Sequence, residues 1–340
     1  MKSYLCPFLR PAAQVPDTLP ALRGQTGLRI AGIDILTRAE PQRTSRGFDP
    51  ATDHVLTASP ALLCGLALDH PRIMGIVNVT PDSFSDGGRF NSMDGALAQA
   101  RRLVADGADI LDIGGESTRP GAQEVPANEE IARTAPLIRA LRAEGVTQPI
   151  SIDTRKAAVA AAALEAGADI VNDVSALTWD RDLARVVADA GVPVCLMHAQ
   201  GTPQTMQNNP EYDDVRMDVF DWLMRAITRA TDAGIAPERI IVDPGIGFGK
   251  TIEHNLALLR DLALFHMTGC AILLGASRKR FIGSISGVQD AAERVSGSLA
   301  VALAAADAGA QILRVHDVAQ TRQALAMWRA LNMMDGREQV

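Results

Sequence analysis

Four basic side chains gather late in the chain, as the pairs Arg278 with Lys279 and Arg314 with His316. Each pair follows a short apolar run, 270–274 and 312–313. A helix beginning there carries partial positive charge at its N-terminus, so these cations sit where they are electrostatically disfavoured. An anion in the same place removes that cost, and phosphate is a group that such places accept readily. Arg314 and His316 are two residues apart, so in extended chain they point to one side. The residue types favour an anion site; a solvated basic rim and a buried structural His316 stay open beside it.

Other apolar runs end in Asn78, Asp112, Asp153, Asn172, His198 and Asp243. Asp and Asn are also preferred helix N-caps, so Asp153, Asn172 and Asp243 are each either a cap or part of a site. Two loops rich in Gly, Ser, Asp and Pro, 80–89 and 114–121, follow the first two runs. They are either lids that exclude water or idle surface turns, and lying on the same face as the ionisable residues favours lids. The glycine-rich stretch 243–251 matches neither nucleotide pattern: Pro244 stands where a Walker loop needs Gly, and Lys250 holds the last Gly position of a dinucleotide fingerprint. A tight turn that lets backbone approach a ligand accounts for it better.

The elements that must position these residues recur along the chain. A helical run closes on a small residue and Gly, a short apolar strand follows, and a polar residue ends it. The glycines are Gly107, Gly167, Gly191, Gly234, Gly269 and Gly309, each where a helix needs a left-handed closing residue. With 73–79 and 149–152 the pattern gives eight strands. The helical stretches between include 157–165, 182–189, 212–231 and 291–307. Uniformly apolar strands alternating with helices mean a parallel sheet buried on both faces. Eight units predict a (β/α)8 TIM barrel over 71–335, with a doubly wound open sheet as the alternative. Residues 1–70 lack the repeat and read as an N-terminal extension packed on the barrel. It holds strand-like runs at 28–36 and 61–68 and a hairpin over the closed end.

The chain of 340 residues carries a formal net charge of −7 without a basic face, which argues against a nucleic-acid partner. Cys6, Cys64, Cys195 and Cys270 are scattered, with no metal or redox spacing, as in a reduced compartment. No apolar run approaches the roughly 18 residues of a membrane span, and the first residues lack a secretory pattern. A cytoplasmic location is the default expectation.

At these same residues the sequence resembles the dihydropteroate synthases of folate synthesis. One motif reads MGIVNVTPDSFSDGG over 74–88 and a second reads DIGGESTRPGA over 112–122. Further matches are 151–154, 171–173, 243–250, 275–279 and 314–317, so the likeness spans about residues 73–332. The resemblance implies condensation of p-aminobenzoate with 6-hydroxymethyl-7,8-dihydropterin pyrophosphate, in a homodimer using Mg²⁺. It assigns Asp243, Asp153, Asn172 and Lys279 to the pterin, with Arg314 near the ring and reaching phosphate. Thr118, Arg119, Arg314 and His316 would hold the pyrophosphate, with Lys279, Arg314, His316 and Arg119 as the catalytic set. Asn78 would sit beside the metal, and p-aminobenzoate would lie between Thr118, Pro120, Phe248 and the segment around Lys279. Two positions depart from the usual pattern: Arg280, where many members carry Ser beside the aminobenzoate carboxylate, and Ala199, where a bulkier residue is frequent. The rivals are a pterin-binding methyltransferase subunit, which leaves the cations without purpose, and a pterin-binding paralogue without turnover.

Overall fold

The repeat of helix, glycine and apolar strand folds as its periodicity requires. The structure, a computed structural model, describes residues 2–39, 43–79, 88–117, 121–201, 205–206 and 209–332. A three-stranded antiparallel sheet comes first, with β1 (Ser3–Pro11), β2 (Leu28–Thr37) and β3 (Thr44–Arg46) in that spatial order. Eight parallel strands then close a barrel: β4 (Arg72–Asn78), β5 (Ile110–Gly114), β6 (Ile150–Asp153), β7 (Ile170–Asp173), β8 (Val194–Met197), β9 (Ile240–Asp243), β10 (Ala271–Leu274) and β11 (Ile312–Val315). They neighbour one another in chain order, and β11 pairs with β4 to complete the circle.

The helices between and after them are α1 (Gly88–Asp106), α2 (Ala127–Ala143), α3 (Ala157–Glu165), α4 (Leu183–Ala190), α5 (Val215–Asp232), α6 (Ile252–Arg260), α7 (Arg280–Ser286), α8 (Val295–Asp307) and α9 (Val318–Asn332). The six glycines named from the repeat all take positive φ, between 62° and 110°, where they end a helix and turn the chain into the next strand. A second device recurs at the start of three strand pairs. The side chain of Asp109 accepts from the Ile73 amide at 2.8 Å, Asp169 from Ile150 at 2.8 Å, and Gln311 from Ile272 at 2.8 Å.

Inside the barrel Met74, Ile110, Ile170, Cys195, Ile241, Leu273 and Ile312 form an apolar layer. Leu63 and Leu68 belong to the same cluster and close it at the N-terminal ends of the strands. The run 61–68 is therefore not a strand. Leu63 and Leu66 bridge across a two-residue turn in which Cys64 (φ 48°) and Gly65 (φ 86°) are both left-handed. Leu63, Leu66 and Leu68 pack on the barrel interior rather than on a sheet partner, while Leu62 is exposed. The N-terminal sheet lies elsewhere, with Tyr4, Cys6 and Leu36 packed on Met217 of α5 and on Ala263 and Leu264. Arg43 and Arg216 converge there on the buried Asp261, at 2.7 and 2.8 Å. Among the described residues no helix is long and apolar enough to cross a membrane.

Candidate active site

Side chains two apart on a strand point the same way. The residue two beyond each apolar layer member therefore also faces inward, one pleat closer to the C-terminal mouth. Ile110 leads to Asp112, Ile170 to Asn172, Ile241 to Asp243, Ile312 to Arg314 and, along β4, Met74 to Ile76 and then Asn78. A greasy layer gives way to a charged one within a single alternation.

Arg314 occupies the centre of the charged layer. Its Nε donates to Asp112 at 2.6 Å and its Nη2 to Asp153 at 2.8 Å. Asn172 Nδ2 lies 3.3 and 3.4 Å from the Asp112 oxygens. Burial alone would lower the Arg314 guanidinium, but Asp112 and Asp153 outweigh it and hold the cation firmly protonated. Burial pushes the Asp153 carboxyl well up, against the pull of Arg314 and with help from Asp112. Asp243 is likewise raised by burial, opposed by Lys279 and by the Gly245 amide, which donates to it at 2.7 Å. The floor between them is Gly275, where a Cβ would lie 3.7 Å from both Arg314 Cδ and Asp243 Oδ2.

Lys279 immediately precedes α7 and lays its stem along residues 246–248. Its Nζ donates to the Ile246 carbonyl and stands 4.4 Å from the centre of the Phe248 ring. Removal from water pulls Lys279 down to about 8; Arg314 adds to this, while Asp243 and Asp153 oppose it. His316 Nδ1 lies 3.1 Å from Ser277 Oγ, which fixes the ring at the end of β11. Asn78 ends β4, in register with Gly114.

The structure thus brings together Asp153, Asn172, Asp243, Lys279 and Arg314, with Phe248 beside Lys279, and places His316 and Asn78 at the ends of neighbouring strands. Thr118, Arg119 and Pro120 lie outside the described residues, as do residues 80–87 of the first loop. Arg278 leaves the expected gathering of cations. It adopts φ 60° and its Nε donates to Asp317 at 3.0 Å, so its counter-charge comes from the protein.

Sequence reasoning placed Asp112 at a strand end without giving it a role. The signal was present, since it lies two beyond an apolar strand residue just as Arg314 does. A second omission had no local signal. Glu116, at the root of the second loop, accepts from Arg155 at 3.0 Å and Lys156 at 2.6 Å, and Lys156 also binds Glu130 at 2.6 Å. These partners come from three separate segments.

Residues 74–316 match the model of the pterin binding enzyme family. A dihydropteroate synthase of Neisseria meningitidis serogroup B is 50% identical over 273 residues, covering 79% of this chain and 95% of the relative. That of Escherichia coli K12 is 48% identical over 265 residues, covering 78% and 93%. Among solved structures, Xanthomonas albilineans dihydropteroate synthase with 4-aminobenzoic acid superposes with a TM-score of 0.76 at 49% identity, over 81% of this chain and 98% of that one. The same enzyme in complex with 7,8-dihydropteroate gives a TM-score of 0.72 at 46% identity, over 78% and 95%. With a barrel mouth of this composition and likeness of this extent, the chain belongs to the dihydropteroate synthase family of pterin-binding enzymes.

Proposed function

We propose that the chain joins p-aminobenzoate to 6-hydroxymethyl-7,8-dihydropterin pyrophosphate, giving 7,8-dihydropteroate and pyrophosphate. The observation that carries the reading is the Asp112–Arg314–Asp153 cluster, set beside Asn172, Asp243 and Lys279 at one mouth. A pterin presents adjacent ring N–H and amino donors, which a carboxylate such as Asp243 accepts in bidentate fashion. Asp153, Asn172 and Lys279 complete that pocket. Arg314 spends two nitrogens on carboxylates, which keeps its guanidinium fixed where it can meet both the ring and the departing phosphates.

Aryl amines are weak nucleophiles, so the C–O bond to pyrophosphate breaks early and the dihydropterin ring shares the positive charge. Positive groups placed at the leaving diphosphate contribute most at that point, and we assign this task to Thr118, Arg119, Arg314 and His316. The amine nitrogen then bonds to the exocyclic carbon and releases its proton to solvent, so no strong general base is needed. Phe248, with Thr118 and Pro120, holds the aryl ring in line.

Mg²⁺ fits this site as an ion that arrives with its substrate. Asn78 offers one amide oxygen, and the described residues hold no group of three His, Cys, Asp or Glu able to bind a metal. Mg²⁺ keeps several waters and is usually shared with substrate phosphates. When bound, it neutralises charge on the diphosphate oxygens. Chelation should abolish turnover and added Mg²⁺ restore it.

We further infer a cytoplasmic homodimer. Met327 and Leu331, 59% and 69% exposed, stand one turn apart on α9 and suit a contact with a second copy. Light scattering that gives a monomer mass would end that inference. The activity is tested by offering the protein pterin pyrophosphate and Mg²⁺ with and without p-aminobenzoate, and following pyrophosphate. Release that needs the amine and disappears in Lys279→Ala separates a synthase from a methyltransferase subunit and from an inactive paralogue. Pyrophosphate release indifferent to the amine would refute the reading.

A further inference from the structure

Behind the wall that carries Phe248 lies a lysine with no role in the chemistry just described. Lys250 is 3% exposed. Its Nζ donates to the Phe248 carbonyl at 3.0 Å and lies 2.9 Å from His198 Nδ1. Burial pushes the Lys250 amine well below the ordinary lysine range, and its near partners are a ring nitrogen and two carbonyls, of Phe248 and His198, rather than a carboxylate. An apolar side chain of similar length would fill the space at lower cost, so the position uses the donors.

Those donors tie two segments together. His198, just beyond β8, donates its own amide to the Asp243 carbonyl at 2.9 Å. Its ring also packs on Trp222, with centroids 4.9 Å apart. Residues 244–250 run directly over this turn. A Cβ on Gly245 would come within 1.8 Å of the His198 carbonyl oxygen, and one on Gly249 within 2.5 Å of that of Gln200. Asn255 holds the Gly247 amide at 2.7 Å and Tyr212 the Gly249 carbonyl at 2.8 Å. Lys250 supplies the bond at Phe248 itself. The ring of that residue faces Lys279, whose ammonium rests on the Ile246 carbonyl of the same segment.

We propose that Lys250 and His198 form a positioning pair, which fixes the Phe248 wall and through it the place of the Lys279 ammonium and of the aryl amine substrate. The pair touches neither reacting group; it acts through Phe248 and Ile246. The substrate part of the claim rests on the proposed synthase reading, whereas the Lys279 part does not.

The test compares Lys250→Met, His198→Ala and His198→Asn with the unaltered protein. Asparagine offers an amide oxygen near the place of Nδ1, so it retains an acceptor for Lys250. In Lys250→Met and His198→Ala the KM for p-aminobenzoate should rise about tenfold, the loss of one buried hydrogen bond, while pterin pyrophosphate binding measured without the amine weakens less, by about threefold, because Lys279 shares the pterin with Asp153, Asn172 and Asp243. Lys250→Met should melt no lower than the unaltered protein, because a buried polar group has been replaced by an apolar one of similar length. His198→Asn should recover most of the KM. Independently of turnover, acylation of Lys279 followed against pH should show its midpoint climbing from about 8 towards the ordinary lysine range in Lys250→Met and His198→Ala. If the unaltered protein does not turn over, the synthase reading fails and the acylation profile alone decides the pair. An unchanged Lys279 midpoint, or equal loss for both substrates with a lowered melting temperature, overturns the proposal.

Discussion

Replacing Asp112 by Asn probes the charged layer at its most enclosed point. Asp112 is fully buried, accepts from Arg314 Nε at 2.6 Å and faces the Asn172 amide at 3.3 and 3.4 Å. Asparagine keeps the shape and one acceptor, so the Arg314 bond persists in form but loses a full opposing charge. Breaking a buried ion pair by removing one partner costs about 3–5 kcal/mol. Here Asp153 still holds Nη2 at 2.8 Å, which reduces the expected cost to about 2–3 kcal/mol. For a chain of 340 residues that lowers the melting temperature by about 3–4 °C. The same loosening of Arg314 should cut kcat/KM for the pterin substrate by about 30- to 150-fold at saturating amine. A sign can be checked as well. Asp153 is raised mainly by burial, but Asp112 contributes in the same direction, so neutralising Asp112 should move the acidic limb of the rate profile to lower pH. Thermal melts and continuous pyrophosphate release, recorded across pH, measure all three. A variant with unchanged melting and kcat/KM within twofold, or an acidic limb displaced upward, would refute the account of Arg314 as a cation held by two carboxylates.

Lys279 yields a prediction on the alkaline side: because it is pulled down to about 8, activity that needs its charge should decline with a midpoint near that value, and Lys279→Arg should carry the decline well beyond it. Folding responds oppositely, since the unfolded chain binds more protons between about 8 and the ordinary lysine range; Lys279 should make unfolding in urea harder as pH rises through that window. Arg280 is exposed at the first position of α7, next to Lys279. If it meets the p-aminobenzoate carboxylate, Arg280→Ser raises the KM for that substrate several-fold at constant pterin KM, and an unaltered KM ends the idea. Gly245→Ala places a methyl 1.8 Å from the His198 carbonyl oxygen at a φ of 69°, so soluble yield and melting temperature should both collapse. A well-folded Gly245→Ala would show that residues 244–250 are not packed as described.

The barrel was legible because its signals are local and repeated. Six of the strands are announced by a closing glycine, and each strand is short and mostly apolar, so repeated copies reinforce one interpretation. The inward-facing charges were legible at the level of strand ends, but their partners were not. Whether Asp112 caps a helix or neutralises Arg314 depends on bringing β5 and β11 to opposite sides of β4, a closure over 202 positions of sequence. Arg278 shows the converse. Its neighbours in sequence suggested an anion site, yet a left-handed backbone turns it towards Asp317. The run 61–68 has strand composition, and only the presence of an open barrel end to fill explains why it forms a plug.

The side chains that clasp the opposite end of the barrel govern fidelity at the mouth. Asp109, Asp169 and Gln311 each hold the amide of the first or second residue of the preceding strand, and they stand three residues ahead of Asp112, Asn172 and Arg314 respectively. Slipping a strand by one residue would turn its inward set outward, exchanging Asp112 for Ile113 or Arg314 for Val315. A bond that specifies where the strand begins therefore also specifies which of its residues a ligand meets. Error-correction in this barrel is performed far from the chemistry that it protects.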